Sequence, residues 1–192
     1  MIRVFYDGAC LPVNPGGIAT WGFVIKRDGK VIKKSRGICR GVATNNIAEY
    51  TALIKALEFL KEKKLNNEDI VIHGDSQLSI YQMTGFYRVR SPNIIPLYKR
   101  AQELVKDFKN IRFEWVPRHL NKEADELSEK AYLSYLKRHP KVVERFKNHF
   151  ATLKQKRLLN KLGIPYHKWT PKFEATRLIK EALGKHRQTR TR

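Results

Sequence analysis

The apolar positions change their period along the chain, and each change marks an element. Val4, Phe5 and Tyr6 form a short continuous apolar run that stops on Asp7, Gly8 and then Pro12. A β-branched and aromatic run bounded in this way predicts a strand over residues 3–6 with Asp7 at its carboxyl end. Residues 21–25 and 31–39 read as two further strands joined by a two-residue turn at Asp28 and Gly29, giving an antiparallel meander. Ile47, Tyr50, Leu53, Ile54, Leu57 and Leu60 then recur at helical spacing. Asn45 or Asn46 is the expected cap, and Glu49 falls in the first turn beside the apolar stripe. Asn66 and Asn67 end that helix. Ile70, Val71 and Ile72 then run into Gly74 and Asp75, and a strand that follows a helix predicts a parallel crossover beside the first strand.

A short helix is expected over residues 76–83, a loop carrying Tyr87, Arg88 and Arg90 over 85–92, and an amphipathic helix over 94–108. Ile111, Phe113, Trp115 and Val116 make a fifth strand. Asn121 can cap a helix whose stripe is Ala124, Leu127, Ala131 and Tyr135, with Asp125 in its first turns. Beyond residue 136 the pattern is helical only. Val142, Val143, Phe146, Phe150 and Leu153 repeat at helical spacing, and Leu158, Leu159 and Leu162 continue the repeat to Gly163. Pro165 and Pro171 bracket a loop with Trp169, a last helix follows Thr170, and residues 185–192 read as a frayed, charged end. The organisation is therefore an α/β domain over residues 1–136 and a small all-helical extension over 137–192.

Charge sharpens the division. The chain has 39 Lys and Arg against 18 Asp and Glu, a net charge of +21 with a pI near 10.1. Residues 137–192 hold 17 of the basic residues and 3 glutamates, so the extension carries +14 and the first 136 residues +7. Such an excess implies a polyanionic partner, with nucleic acid foremost because neutralising phosphates drives its binding. No window approaches eighteen continuous apolar residues, so a soluble, cytoplasmic protein with no membrane partner is expected. Cys10 and Cys39 make no disulfide framework and match no zinc-binding spacing.

Four carboxylates arrive in order from a strand, a helix, a strand and a helix: Asp7, Glu49, Asp75 and Asp125. If they converge, their repulsion in a partly desolvated pocket raises their pKa values until a divalent cation neutralises them. Oxygen-only ligands favour a hard ion, and Mg2+ fits because it binds through a few carboxylates together with substrate phosphates. The chemistry this supports is in-line phosphodiester cleavage with two metal ions.

With these motifs the chain resembles ribonuclease H, and more closely the compact archaeal type 1 enzymes. The matching pieces are Tyr6, Asp7, Gly8 with Asn14, Pro15, Gly16, Gly17; Thr44, Asn45, Asn46 with Glu49; Gly74, Asp75, Ser76, Gln77; and Val116, Pro117, Arg118 with Asn121, Lys122, Glu123, Ala124, Asp125. The resemblance covers residues 1 to about 136. It implies a five-stranded mixed sheet with helices on both faces and an endonuclease that hydrolyses the RNA strand of an RNA/DNA hybrid, leaving 5′-phosphate ends. Asp7, Glu49, Asp75 and Asp125 would hold two Mg2+ ions, with Mn2+ as a substitute. Glu49 would also touch the ribose 2′-hydroxyl.

The resemblance further implies that Gly8, Cys10, Asn14, Asn45, Asn46 and Gln77 bind substrate, Cys10 through its backbone. Double-stranded RNA and RNA–DNA junctions are further candidate substrates, a non-catalytic hybrid-binding protein is the alternative from another class, and a monomer is the expected state. Two departures stand out. Only a short loop fits between Met83 and Ile94, where many relatives carry a basic protrusion. His119 lies six residues before Asp125, where it is a candidate auxiliary catalytic group. The run from Thr152 to Ile179 is also similar to a small helical unit appended to various nucleic-acid enzymes, which suggests that the extension is a nucleic-acid-binding module.

Overall fold

The computed structural model describes residues 1–41 and 43–189, with side chains up to residue 184. The charged end predicted over residues 185–192 lies outside those side chains. Five strands form one sheet in the order β3-β2-β1-β4-β5: β1 (Ile2–Leu11), β2 (Ile18–Arg27), β3 (Lys30–Ile38), β4 (Asp69–Gly74) and β5 (Asn110–Trp115). β2 pairs antiparallel with β3, while β4 runs parallel to both β1 and β5, so the sheet is mixed. The turn between β2 and β3 places Asp28 and Gly29 at φ 49° and 80°, the doubly left-handed backbone that Asp-Gly adopts at little cost.

Alternation along the strands decides what each face holds. Ile2, Val4 and Tyr6 of β1, Phe23 and Ile25 of β2, and Ile70 and Ile72 of β4 lie buried in one core. The helices α1 (Asn45–Glu62), α2 (Gln77–Met83) and α3 (Ile95–Val105) close that core with Leu53, Leu57, Leu60, Ile80 and Leu104. Fully burying leucines of this kind stabilises the fold by about 2 kcal/mol each. The other face receives α4 (Lys122–Arg138). A Cβ on Gly22 of β2 would lie 2.7 Å from Ala124 O and Leu127 Cβ, so the missing side chain is what lets α4 lie directly on the strand.

Two sequence expectations need correction here. β1 does not stop at Asp7 but runs on to Leu11. Gly8, Ala9 and Cys10 carry little strand propensity, yet the edge that neighbouring β2 offers holds them extended. The pairing of β1 with β4 nevertheless ends at Tyr6 and Gly74, so Asp7 and Asp75 both stand just past the shared ladder. The cap of α1 is Thr44, whose side chain accepts from the Ile47 N–H at 3.2 Å, rather than Asn45 or Asn46. Glu49 is consequently in the second turn.

The chain divides into two compact units, residues 1–10 with 14–135 and residues 11–13 with 136–192. The second contains α5 (Pro140–Arg145), α6 (Leu153–Lys161) and α7 (Lys172–Thr189). The continuous periodicity predicted from Val142 to Leu162 is broken over residues 146–152. There, Ala151 N–H donates to Thr170 O, and a capping box between Thr152 and Gln155 restarts the helix. Leu159, Ala175 and Ala151 form its small core, with Ile164, Tyr166, Leu178 and Ile179 against them.

Candidate active site

The first carboxylate, Asp7, is 6% exposed because β1 is an interior strand. A Cβ on its neighbour Gly8 would fall 2.1 Å from Glu49 N and 2.2 Å from Ala48 C. Only glycine therefore allows α1 to cross β1 this closely, and the crossing carries Glu49, 7% exposed, to Asp7. Asp75 arrives from the end of β4. Oxygen atoms of Asp7, Glu49 and Asp75 lie within 4.8 Å of one another.

The fourth carboxylate stands beside this group. Asp125, in the first turn of α4, accepts from Arg118 Nη2 at 2.6 Å, and its charge acts on Asp7. Two buried side chains orient the cluster from behind. Ser128, one turn beyond Asp125, donates to Asp7 Oδ2. Asn121, 1% exposed, donates from Nδ2 to Tyr6 O at 2.8 Å and to Asp75 Oδ1 at 3.1 Å, rather than capping α4 with its side chain. Trp115 Nε1 donates to the Asp75 carbonyl at 3.0 Å, which ties the end of β5 to the site.

Gathering these buried carboxyls disfavours their charged forms. Burial, and then the Asp125 charge, push the Asp7 carboxyl up to about 7, with the Ser128 hydrogen bond opposing. Burial raises Glu49 well above the ordinary carboxylate range, with Asp7 and Asp75 adding to it and a backbone hydrogen bond from Gly8 in opposition. Burial also raises Asp75, against the Asn121 hydrogen bond. Arg118 lowers all three, so it supplies positive charge to the whole cluster. Glu49 Oε2 is buried and has no hydrogen-bond partner among the described residues. Converging all-oxygen donors, raised pKa values and an orphaned carboxylate oxygen fit a hard divalent cation.

Residues 5–131 match the family model described as reverse transcriptase-like. A ribonuclease H of Geotalea uraniireducens is 32% identical over 154 residues, covering 72% of this chain and 99% of that protein. This chain is a member of the ribonuclease H family. Among solved structures, ribonuclease H1 of the archaeon Halobacterium salinarum has a TM-score of 0.64 at 36% identity, covering 69% of this chain and 98% of that one. A type 1 relative solved in complex with an RNA/DNA hybrid, LC11-RNase H1, has a TM-score of 0.66 at 34% identity, covering 71% and 99%. Mycobacterial relatives 36% identical over 118 residues are longer, and the chain spans 32% of their length.

For this ribonuclease H relative, the other sequence-predicted positions fall into three groups. Asn14 and Asn45 are joined: Asn14 Oδ1 accepts from Asn45 N–H at 3.0 Å, and Asn45 Oδ1 accepts from Cys10 N–H at 2.6 Å. Both carbonyl oxygens are thereby engaged inside the protein, and both residues are exposed. Cys10 itself lies in β1 beyond the predicted strand over residues 3–6, its side chain is buried, and its N–H is the one held by Asn45. Gln77 and Asn46 are exposed at the starts of α2 and α1. His119 is exposed on a 3-10 turn over Arg118–Leu120, and the side chain that reaches Asp125 from that turn is Arg118.

The roles of Arg118, Asn121 and Ser128 were not read from the sequence. Ser128 had a signal, a small polar residue standing four places after Ala124 on the apolar stripe of α4. In the loop after α2, Phe86 is 81% exposed, with Tyr81 packing edge-on against both Phe86 and Tyr87, and with Arg88 and Arg90 exposed beside them. Among the described residues no helix is long and apolar enough to cross a membrane.

Proposed function

We propose that the chain is a cytoplasmic, monomeric endoribonuclease that hydrolyses the RNA strand of RNA/DNA hybrids with two Mg2+ ions, for which Mn2+ substitutes. The observation that carries this reading is the convergence of Asp7, Glu49 and Asp75 around a buried carboxylate oxygen with no hydrogen-bond partner among the described residues. The hybrid-bound relative supports the substrate class. Two free thiols, Cys10 and Cys39, fit a reducing compartment.

Asp7, Glu49, Asp75 and Asp125 would hold the ions, which when bound activate a water and stabilise the leaving oxygen. The protein's own groups do the rest. Ser128 and Asn121 fix the rotamers of Asp7 and Asp75, so the carboxylates are oriented before substrate arrives. Asn14 and Asn45 offer NH2 donors to the minor groove, where bases present mainly acceptors, so binding tolerates any base sequence. Glu49 reads the ribose 2′-hydroxyl, and Gln77, Asn46, Gly8 and the Cys10 backbone complete the contact line along the RNA strand. His119, exposed at the rim, assists product release.

The test is cleavage of a labelled RNA strand in an RNA/DNA duplex, with and without Mg2+, for the intact protein and Asp7→Asn, beside matched double-stranded RNA. Cleavage of the hybrid that needs both Mg2+ and Asp7 is expected. Tight hybrid binding without cleavage under Mg2+ or Mn2+ would leave a binding protein instead. Equal cleavage of double-stranded RNA would widen the substrate class.

A further inference from the structure

The second unit holds a surface that the catalytic chemistry does not use. Residues 145–173 contain eight Lys and Arg and no Asp or Glu. Within that stretch the inner side of α6 is fixed. Leu159 is fully buried, the Thr152 and Gln155 capping box sets where the helix starts, and Gln155 Nε2 donates to Lys172 O at 3.0 Å and Thr176 Oγ1 at 2.9 Å. Lys156 is also turned inward, donating to Lys168 O at 3.0 Å. What remains outside is Lys154, Arg157 and Lys161, all exposed and placed at i, i+3 and i+7. That spacing aligns them on one narrow arc of the helix.

A helix that only needs a solvated face mixes charges, because like charges three and four residues apart disfavour the helix. α7 does mix them, since Arg177 is held between Glu174 and Glu181. The other glutamate of this unit, Glu144, pairs with Lys147. α6 places three cations side by side with no acid paired to them among the described residues, so an external polyanion would relieve their mutual repulsion. Seven residues of helix rise about 10 Å, a distance over which a nucleic-acid duplex presents about six phosphate charges.

We propose that the outward stripe of α6, Lys154, Arg157 and Lys161, is a backbone-binding surface for double-stranded nucleic acid. It contacts phosphates and neither bases nor sugars, so it holds hybrid and DNA duplex alike and selects no strand. Its contribution is grip, supplied by the extension in a chain whose catalytic unit has only a short loop where relatives carry a basic protrusion. The stripe does not depend on which bond the catalytic unit cuts.

The experiment uses the full chain without added divalent metal, so that nothing is cleaved. Anisotropy of a labelled RNA/DNA hybrid and of a matched DNA duplex is measured across a salt series for wild type and for Lys154→Gln, Arg157→Gln, Lys161→Gln combined. A second triple variant, Lys30→Gln, Lys64→Gln, Lys109→Gln, removes the same net charge from exposed positions of the first unit. The α6 variant is expected to weaken both duplexes equally and to lower the slope of log affinity against log salt by about 2 to 3. The other triple leaves that slope within about one of wild type.

An unchanged slope in the α6 variant, or equal losses in both triples, would overturn the proposal. Stripe-dependent flotation with vesicles of phosphatidylserine and phosphatidylcholine, with duplex binding unaltered, would assign the surface to a membrane instead. If hybrid cleavage fails while stripe-dependent duplex binding persists, the catalytic reading falls and this one stands.

Discussion

Arg118 donates from Nη2 to Asp125 Oδ1 at 2.6 Å, placing a guanidinium at the one carboxylate that stands outside the converging trio. Because Arg118 also lowers the pKa values of Asp7, Glu49 and Asp75, it partly supplies the charge that a divalent ion would supply. Arg118→Ala is therefore expected to lower the Mg2+ concentration that half-saturates the site several-fold. Trp115, bonded to the Asp75 carbonyl, gives a fluorescence readout of that titration. Weaker Mg2+ binding in the variant would show that the guanidinium supports the ion rather than competing with it.

The raised Asp7 carboxyl predicts an inverted pH dependence of stability. Its folded pKa of about 7 lies above the ordinary value of 3.8, so between those values the folded state keeps a proton that the unfolded state has released. Stability from this group is full below about pH 4 and is lost as pH rises to about 7, by roughly 4 kcal/mol at most. In EDTA the melting temperature should fall between pH 5 and 8, with Glu49 and Asp75 acting in the same direction. Asp7→Asn should flatten that fall and melt higher than wild type at pH 8 while losing cleavage. A variant that melts lower at pH 8 would contradict the charge assignment.

Gly8→Ala tests how close α1 lies to β1. Its methyl would meet the backbone at Ala48 and Glu49, which cannot swing aside as a side chain can. A loss of about 3 kcal/mol or more is expected, read by chemical denaturation, together with weakened Mg2+ binding as Glu49 is displaced. A neutral result would mean that the helix can retreat without cost.

Phe86→Ala separates binding from folding. The ring is 81% exposed, so removing it should leave the melting temperature unchanged. If the ring, with Arg88 and Arg90 beside it in the sequence, contacts the hybrid, KM should rise about fivefold to tenfold, the low end of aromatic contact with a base. Steady-state cleavage at several hybrid concentrations measures it, and a fall in kcat with unchanged KM would exclude the contact.

Much of this was written in the order of residue types. Asp7 and Asp75 could be named because each follows a short apolar run, and Glu49 and Asp125 because each lies beside the apolar stripe near the start of a helix. The extent of β1 was not legible, since Gly8, Ala9 and Cys10 are held extended by a neighbouring strand and not by their own propensities. Nor was the choice of Thr44 over Asn45 as cap, because Asn45 looks equally suited until its side chain is found bonded to Cys10. Arg118, Asn121 and Ser128 escaped for a related reason. Arg118 meets Asp125 only seven residues on, across a turn, while Asn121 and Ser128 reach partners 46 and 121 residues away; the place of Ser128 on the apolar stripe marked the residue but not its partner. The break within 146–152 was visible in Thr152 and Gln155, a capping-box pair set inside what otherwise read as continuous helix.

Asn45 and Glu49 stand four residues apart on one helix, so the pitch of α1 fixes the interval between them at about 6 Å. A strand of duplex advances about 3.4 Å per nucleotide. In the proposed reading, one side chain feels the groove and the other marks the ribose next to the bond that breaks. The protein then carries a built-in ruler, less than two nucleotides long, that locates each cut from the shape of the duplex without consulting its sequence.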